Sequence, residues 1–281
     1  MGDERLRFAV AGEDEVHRAL GMKLAEAVVE ALAHERDAAW IVRGDTWDFA
    51  SIDPHTDRPP ERRFYDIHQA PRNLAGRQRR TMLHGHLDGK PLGGDGRRLR
   101  QVVLDHAHAE EPPHLLVILH DTDGREAWFP TVDRIRDWIA RTEGLPATAI
   151  GTPHRDAEAW FFAVPIREEP ERARLREASA VLSFDPTKVP ERLTSQPDAR
   201  RTDAKRVVRF VFLGEGDNLT DQQPSSKAPS PEDADALAER LGEALDRLDR
   251  YEACRLADFV ADLRRAIPRA LGSQLPPTRS P

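Results

Sequence analysis

The stretch HLLVILHDTDG, residues 114–124, decides how this chain is read. Leu115 to Leu119 form an apolar run without alternation. Such a run marks a strand covered on both faces, as in the middle of a parallel sheet. The run passes through His120 into Asp121, Thr122, Asp123 and Gly124. In a parallel α/β sheet, ligands collect beyond the carboxyl ends of the strands. If the backbone stays extended here, the side chains of Asp121 and Asp123 point the same way. Two carboxylates aimed at one place repel unless a cation lies between them, and hard oxygen ligands suit Mg²⁺ or Mn²⁺. Asp and Gly are also ordinary turn residues. Taken alone, the tetrapeptide reads first as a turn.

Working outward, the neighbouring segments alternate between strand and helix. LRFAVAG at 6–12 reads as a buried strand. A helix follows from about Asp14, with Val16, Leu20, Leu24, Val28 and Leu32 on one stripe. AAWIVRG at 38–44 reads as a second strand, and 51–62 as loop. Residues 83–96 read as a glycine-rich loop, followed by a helix with Leu99, Val102, Val103 and His106 on its inner side. PTVDRIRDWIART opens with proline and spaces Val132, Ile135, Trp138 and Ile139 as a helix face. ATAIG at 147–151 is a further strand. This order predicts an α/β fold over residues 1–155, a mostly parallel sheet flanked by helices. Residues 156–267 read as a mainly helical part packed on it. Residues 214–230 read as a linker and 268–281 as a disordered tail. Ser230 and Pro231 mark a helix start.

The chain has 281 residues and a net charge of −7. No apolar run is long enough to span a bilayer. The first ten residues lack the regions of a signal peptide, and the expectation is a cytoplasmic protein. The single cysteine, Cys254, excludes an intramolecular disulfide and reads as helix packing. Charge is uneven. Residues 61–100 carry ten Lys or Arg against four acids, a local +6 within a negative chain. A basic patch of this kind can hold a phosphate backbone. Lys90, Arg97, Arg98 and Arg100 are the candidates for that contact. A solvated arginine-rich face explains the same charges.

FAVAGEDE at 8–15 is a second strand that ends in carboxylates. Glu13, Asp14 and Glu15 by themselves need mean no more than acids at a helix N-terminus. With Asp121 and Asp123 on another strand of the same sheet, they can gather around shared metal ions. The pair of motifs resembles the TOPRIM domain of topoisomerases, primases, OLD-family nucleases and RloB-like defence proteins. The DTDG segment matches its Asp-x-Asp motif. VAGEDE resembles the VEGxxE of nuclease-like members, except that Ala11 stands where the glutamate is usual. HRDAEAWFFAV is similar to the family's EAW helix (Glu158, Trp160). FDPTKVPERL and TDAKRVV are similar to its lysine-bearing segments (Lys188, Lys205). The likeness runs loosely from residue 6 to about 210.

The resemblance implies a Mg²⁺- or Mn²⁺-dependent phosphodiesterase acting on DNA or RNA in a bacterial defence setting, with an ATPase or a second copy as partner. It implies Asp121, Asp123 and Glu13 as metal ligands, and Glu13 or Glu15 as ligand or general base. Glu158 would be a further carboxylate, with Lys188 or Lys205 steadying transition-state charge. The alternative is a TOPRIM-like module that has lost catalysis and binds a protein partner, which Ala11 favours. HGHLDG at 84–89 offers His84, His86 and Asp88 as zinc ligands. Gly89 stands where a further histidine would be needed, and no strand precedes the motif. The same loop fails as a phosphate loop, because Pro91 replaces the Ser or Thr that would hold magnesium.

Overall fold

A computed structural model describes residues 5–41, 43–51, 62–69, 86–194, 201–216, 219 and 227–272. The fold is α/β, with a mostly parallel central sheet and a helical C-terminal part. Strand β1 (Leu6–Gly12) lies at the centre, paired in parallel with β2 (Trp47–Phe49) on one side and β6 (Leu115–Leu119) on the other. β7 (Ala147–Gly151) pairs in parallel with β6. The short β3 (Tyr65–Asp66) joins β1 beyond β2, opposite Ala11 and Gly12. The register sets Ala11 beside Ile118, so β1 and β6 end level with each other. Glu13 is thereby carried to His120 and Asp121.

Alternation along the strands divides the interior into two cores. Phe8, Val10, Leu115, Val117 and Leu119 face one side, where helices α1 (Glu15–Glu35) and α7 (Leu256–Leu271) cover them and α6 (Pro231–Gly242) packs on α1. Ala9, Ala11, Leu116, Ile118 and Ile150 face the other, under α2 (Gly93–Ala107) and α3 (Phe129–Arg141). The C-terminal helices thus complete a core that the sheet and α1 cannot close alone. Trp160 stacks on Phe259 at 5.5 Å, and its indole N–H donates to the carbonyl of Cys254 at 2.8 Å. Cys254 itself is buried, as expected.

Edge strand β7 would expose unpaired backbone groups, a known liability. Asp262 of α7 accepts from the amide of Ile150 at 3.3 Å, and Arg136 of α3 donates to the carbonyl of Ile150 at 2.7 Å. Arg136 and Asp262 also pair with each other at 2.5 Å. One ion pair therefore closes the edge and ties both helical layers to it.

Three expectations need correction. The second strand is WDF (Trp47–Phe49) rather than AAWIVRG: Asp37 turns the chain at φ +55°, and 38–41 stays irregular with Ala38 and Ile41 buried. Trp47 and Phe49 then point inward against Phe8, at 4.8 and 6.2 Å between ring centres. From His86 onward the glycine-rich stretch is not loop. β4 (His86–Leu87) and β5 (Lys90–Pro91) form a hairpin across Asp88 and Gly89, both at positive φ, as a two-residue Asp-Gly turn requires. Gly93, Gly94 and Gly96 already belong to α2. Finally, α7 continues through Pro268 to Leu271, into the stretch expected as tail. Residues 273–281 and most of 214–230 lie outside the described residues. Ser230 caps α6 as predicted, accepting from the amide of Asp233.

Candidate metal centre

The turn from β1 into α1 builds the first half of the centre. A Cβ at Gly12 would stand 2.6 Å from the Cβ of His17, so only glycine lets α1 fold back this closely. Asp14 is the N-cap of α1, its Oδ1 accepting from the amides of Val16 and His17 at 3.0 and 3.1 Å. The same oxygen lies 2.7 Å from His17 Nδ1. His17 is buried and its ring is fixed, with Nε2 facing Asp121 Oδ1 at 3.2 Å. Neither of those two atoms makes a well-directed hydrogen bond. Glu13 completes the group: one ligand atom each from Glu13, His17 and Asp121 lies within 4.8 Å of the others. This group can hold a metal ion.

The donor chemistry fits. A metal-bound histidine ordinarily donates its second ring N–H to a carboxylate, which fixes the tautomer and the ring. Asp14 stands in that relation to His17, leaving Nε2 to present its lone pair beside two carboxylates. Glu13 is held in turn. Its Oε1 accepts from the amide of Asp121 at 2.8 Å and from His120 Nδ1, and its Oε2 lies 3.0 Å from His68 Nε2. His120 packs edge-on against Trp128.

Charges follow the geometry. Burial alone would raise the pKa of Glu13, but the hydrogen bond and charge of His120, with His17 and the Asp121 amide, hold it at about 2. Burial likewise works against Asp14, and its bonds to His17 overcome that, keeping it well below the usual carboxylate range. Burial disfavours a charged His17, yet Asp121 and Asp14 outweigh it and raise its pKa well above the ordinary value. Burial pushes Asp121 up to about 7, with the charges of Asp156 and Glu13 adding to it against the pull of His17.

A second acidic group adjoins the first. Asp156 caps the 3-10 helix Ala157–Ala163, accepting from the amide of Glu158, and both side chains are buried. Burial and the neighbouring Asp156 raise the pKa of Glu158. Lys205, at the start of α5 (Ala204–Val208), lies 3.6 Å from Glu158. Burial would discharge Lys205, but Glu158, Asp156, Asp14 and Asp121 raise its pKa instead.

The structure therefore brings Glu13, Asp121, Glu158 and Lys205 into one neighbourhood and leaves the other candidates out. Asp123 lies outside this group. Thr122 is buried and tied to the carbonyl of Pro153, and Asp123 then turns at φ +50° to pair with Arg125 at 3.1 Å. Glu15 is not at the centre. It pairs with the buried Arg18 at 2.6 Å, and Arg18 reaches Asp235 of α6 at 2.8 Å, a link between helices. Lys188 is 79% exposed and pairs with Asp185. Ala11 is buried in the second core, where a carboxylate would meet apolar neighbours.

Of the basic candidates, Lys90 is exposed in β5 and Arg97 is exposed on the first turns of α2. Arg98 lies 3.7 Å from Asp95. Arg125 joins Asp95 to Asp123, so this end of α2 sits beside the DTDG turn. Arg100 is turned away, its guanidinium over the Trp138 ring at 5.2 Å. His84 and Arg72, Arg77, Arg79 and Arg80 lie outside the described residues, and Asp88 pairs with Arg141. The sequence reading missed His17, His120, His68 and Asp156. Asp14 and His17 stand three apart at a helix start, the spacing of side-chain neighbours, and that signal was available.

No protein-family model matches the chain, and no curated protein or solved structure matches it significantly. No described helix is long and apolar enough to cross a membrane.

Proposed function

We propose that this chain is a divalent-metal-dependent phosphodiesterase acting on nucleic acid, of TOPRIM-like type. The observation that carries the reading is His17, held by Asp14 at 2.7 Å and facing Asp121 at 3.2 Å beside Glu13. These groups stand past the ends of two adjacent parallel strands, where such sheets bind ligands. Glu13, Asp14, Asp121, Asp156 and Glu158 crowd one point, and burial with mutual repulsion already raises the pKa of Asp121 and Glu158, so a divalent cation would let these groups ionise together. Mg²⁺ suits the carboxylates, and an imidazole in the set favours Mn²⁺.

Glu13, His17 and Asp121 would hold the divalent cation, which would supply positive charge against a phosphodiester and lower the pKa of a bound water. Lys205 keeps its charge and is partly exposed, so it is the candidate for steadying negative charge that develops on phosphate. Glu158 is 1% exposed and does not reach a substrate. With Asp156 it positions Lys205. Exposed Arg97 and Lys90 remain the candidates for backbone contact. The defence setting and the ATPase partner rest on the TOPRIM resemblance alone.

The test combines calorimetry with cleavage assays. Mn²⁺ binds the natural chain and not Asp121→Asn, and cleavage of DNA or RNA disappears in the same variant. A second reading, a non-catalytic module that binds a protein partner, is favoured by Ala11 and by the three hydrogen bonds already on Glu13. Absent Mn²⁺ and Mg²⁺ binding, with Asp121→Asn unchanged in every assay, would establish that reading instead.

A further inference from the structure

Beyond the carboxylates, an arginine beside the DTDG turn calls for an explanation. Arg155 follows β7 by four residues and adopts φ +92°, a backbone region that residues other than glycine rarely enter. Strain of this kind persists only where the surroundings impose it, and it collects at ligand-binding positions. Here the imposing contacts are visible. Thr122 Oγ1 accepts from the amide of Arg155 at 3.3 Å while donating to the carbonyl of Pro153 at 3.0 Å. The Arg155 side chain then lies over Gly124, the last residue of the DTDG turn. A Cβ added to Gly124 would stand 3.4 Å from Arg155 Cγ and 3.5 Å from Nε.

No described carboxylate pairs with the guanidinium. Among the described residues no ion pair or side-chain hydrogen bond reaches it, and its Nε is buried without a partner. Arg125 nearby behaves in the opposite way, being held by both Asp95 and Asp123. Half-buried arginines usually find an anion, because the planar fork loses its water on one side. The charge of Arg155 is felt locally: after burial, it is the largest cause that lowers the pKa of His154.

We propose that Arg155 receives a phosphate of the nucleic-acid backbone at the edge of the metal centre, fixing the strand over Asp121. The ligand class rests on the phosphodiesterase reading above. Its recognition is the bidentate pairing of a guanidinium with phosphate oxygens, and the strained backbone holds the fork at the rim. Arg155 is a substrate-binding residue on this account, and a phosphate contact of this kind does not require metal.

The experiment measures binding of a short oligothymidylate in EDTA, across a salt series, for the natural chain, Arg155→Gln and Arg155→Gly. Each phosphate contact on a single strand contributes about 0.7 to the slope of log K against log salt. Arg155→Gln is expected to lower the slope by about that amount and to weaken binding severalfold at low salt. Arg155→Gly is expected to bind as weakly while melting at or above the natural temperature, since glycine accepts φ +92° without strain. Equal slopes and affinities for the natural chain and Arg155→Gln would overturn the proposal, as would no oligothymidylate binding by the natural chain. Melting of Arg155→Gly several degrees below the natural chain would make Arg155 a packing residue and overturn it too. Since no metal or turnover enters, failure here leaves the Asp121→Asn test of the metal centre standing, and the reverse also holds.

Discussion

His17 carries the centre, and its two ring nitrogens divide the work. Nδ1 is committed to Asp14, so the state of Nε2 decides whether a cation binds. With its pKa raised, His17 holds a proton on Nε2 near neutral pH in the absence of metal. A cation must displace that proton. Affinity for Mn²⁺ should therefore rise with pH, with protons released on binding, and more steeply below about 7, where Asp121 holds a proton as well. Calorimetry in buffers of different ionisation enthalpy reads the release directly. Asp14→Asn leaves all three ligands in place and should still weaken Mn²⁺ binding about 10- to 100-fold, because the ring loses its carboxylate. Asp123→Asn should change nothing, against the Asp-x-Asp reading of the sequence. That reading failed for a local reason: same-side aspartates need extended backbone through Thr122, and the bond of Thr122 to Pro153 turns the chain instead. Asp121 was legible because it ends an apolar strand. His17 was not, because one polar residue beside an apolar helical stripe carries no message until the partner strand is in place.

At the scale of elements, the long periodic segments read true: α1, α3, α6 and α7, with strands β1, β6 and β7. Leu99, Val102, Val103 and His106 face inward on α2 as their spacing predicts. The short elements did not read true. A three-residue strand such as Trp47–Phe49 has too few positions for alternation to show, and its stability comes from Phe8 across the sheet. The glycines of α2 looked like loop because propensity disfavours them in a helix. Packing explains one of them. A Cβ at Gly96 would meet Thr131 Cγ2 of α3 at 2.5 Å and Leu92 Cβ at 3.2 Å. Gly96→Ala should therefore destabilise the protein by about 1–3 kcal/mol despite the better helix former. Thr131→Ser removes the offending methyl, so the double variant should recover part of the loss. Urea unfolding of the four proteins in that cycle measures it, and a stabilised Gly96→Ala would show that α2 and α3 are not this close.

For the whole molecule, pH is the informative variable. His106 is fully buried in the second core, with Nδ1 bonded to the carbonyl of Val102 at 2.8 Å and Nε2 without a hydrogen-bond partner among the described residues. Burial lowers its pKa from the ordinary 6.5 to about 4. Between those values the unfolded chain binds the proton and the folded chain does not, so stability falls as pH drops through this window. The shift corresponds to about 3 kcal/mol, complete below the folded pKa. His106→Gln removes the titration. The difference in unfolding free energy between the two proteins should then change by about 3 kcal/mol from neutral pH to the folded pKa, in the direction that penalises the natural chain in acid. A constant difference across that range would mean that His106 is solvated.

These scales meet at the carboxyl ends of β1 and β6, where two strands, one helix start and two cores converge on Glu13, His17 and Asp121. The most direct measurement is anomalous diffraction from crystals soaked in Mn²⁺. One strong anomalous peak is expected within bonding distance of His17 Nε2 and of carboxylate oxygens from Glu13 and Asp121. A map with no peak there, or a peak centred on Asp123 instead, would contradict it.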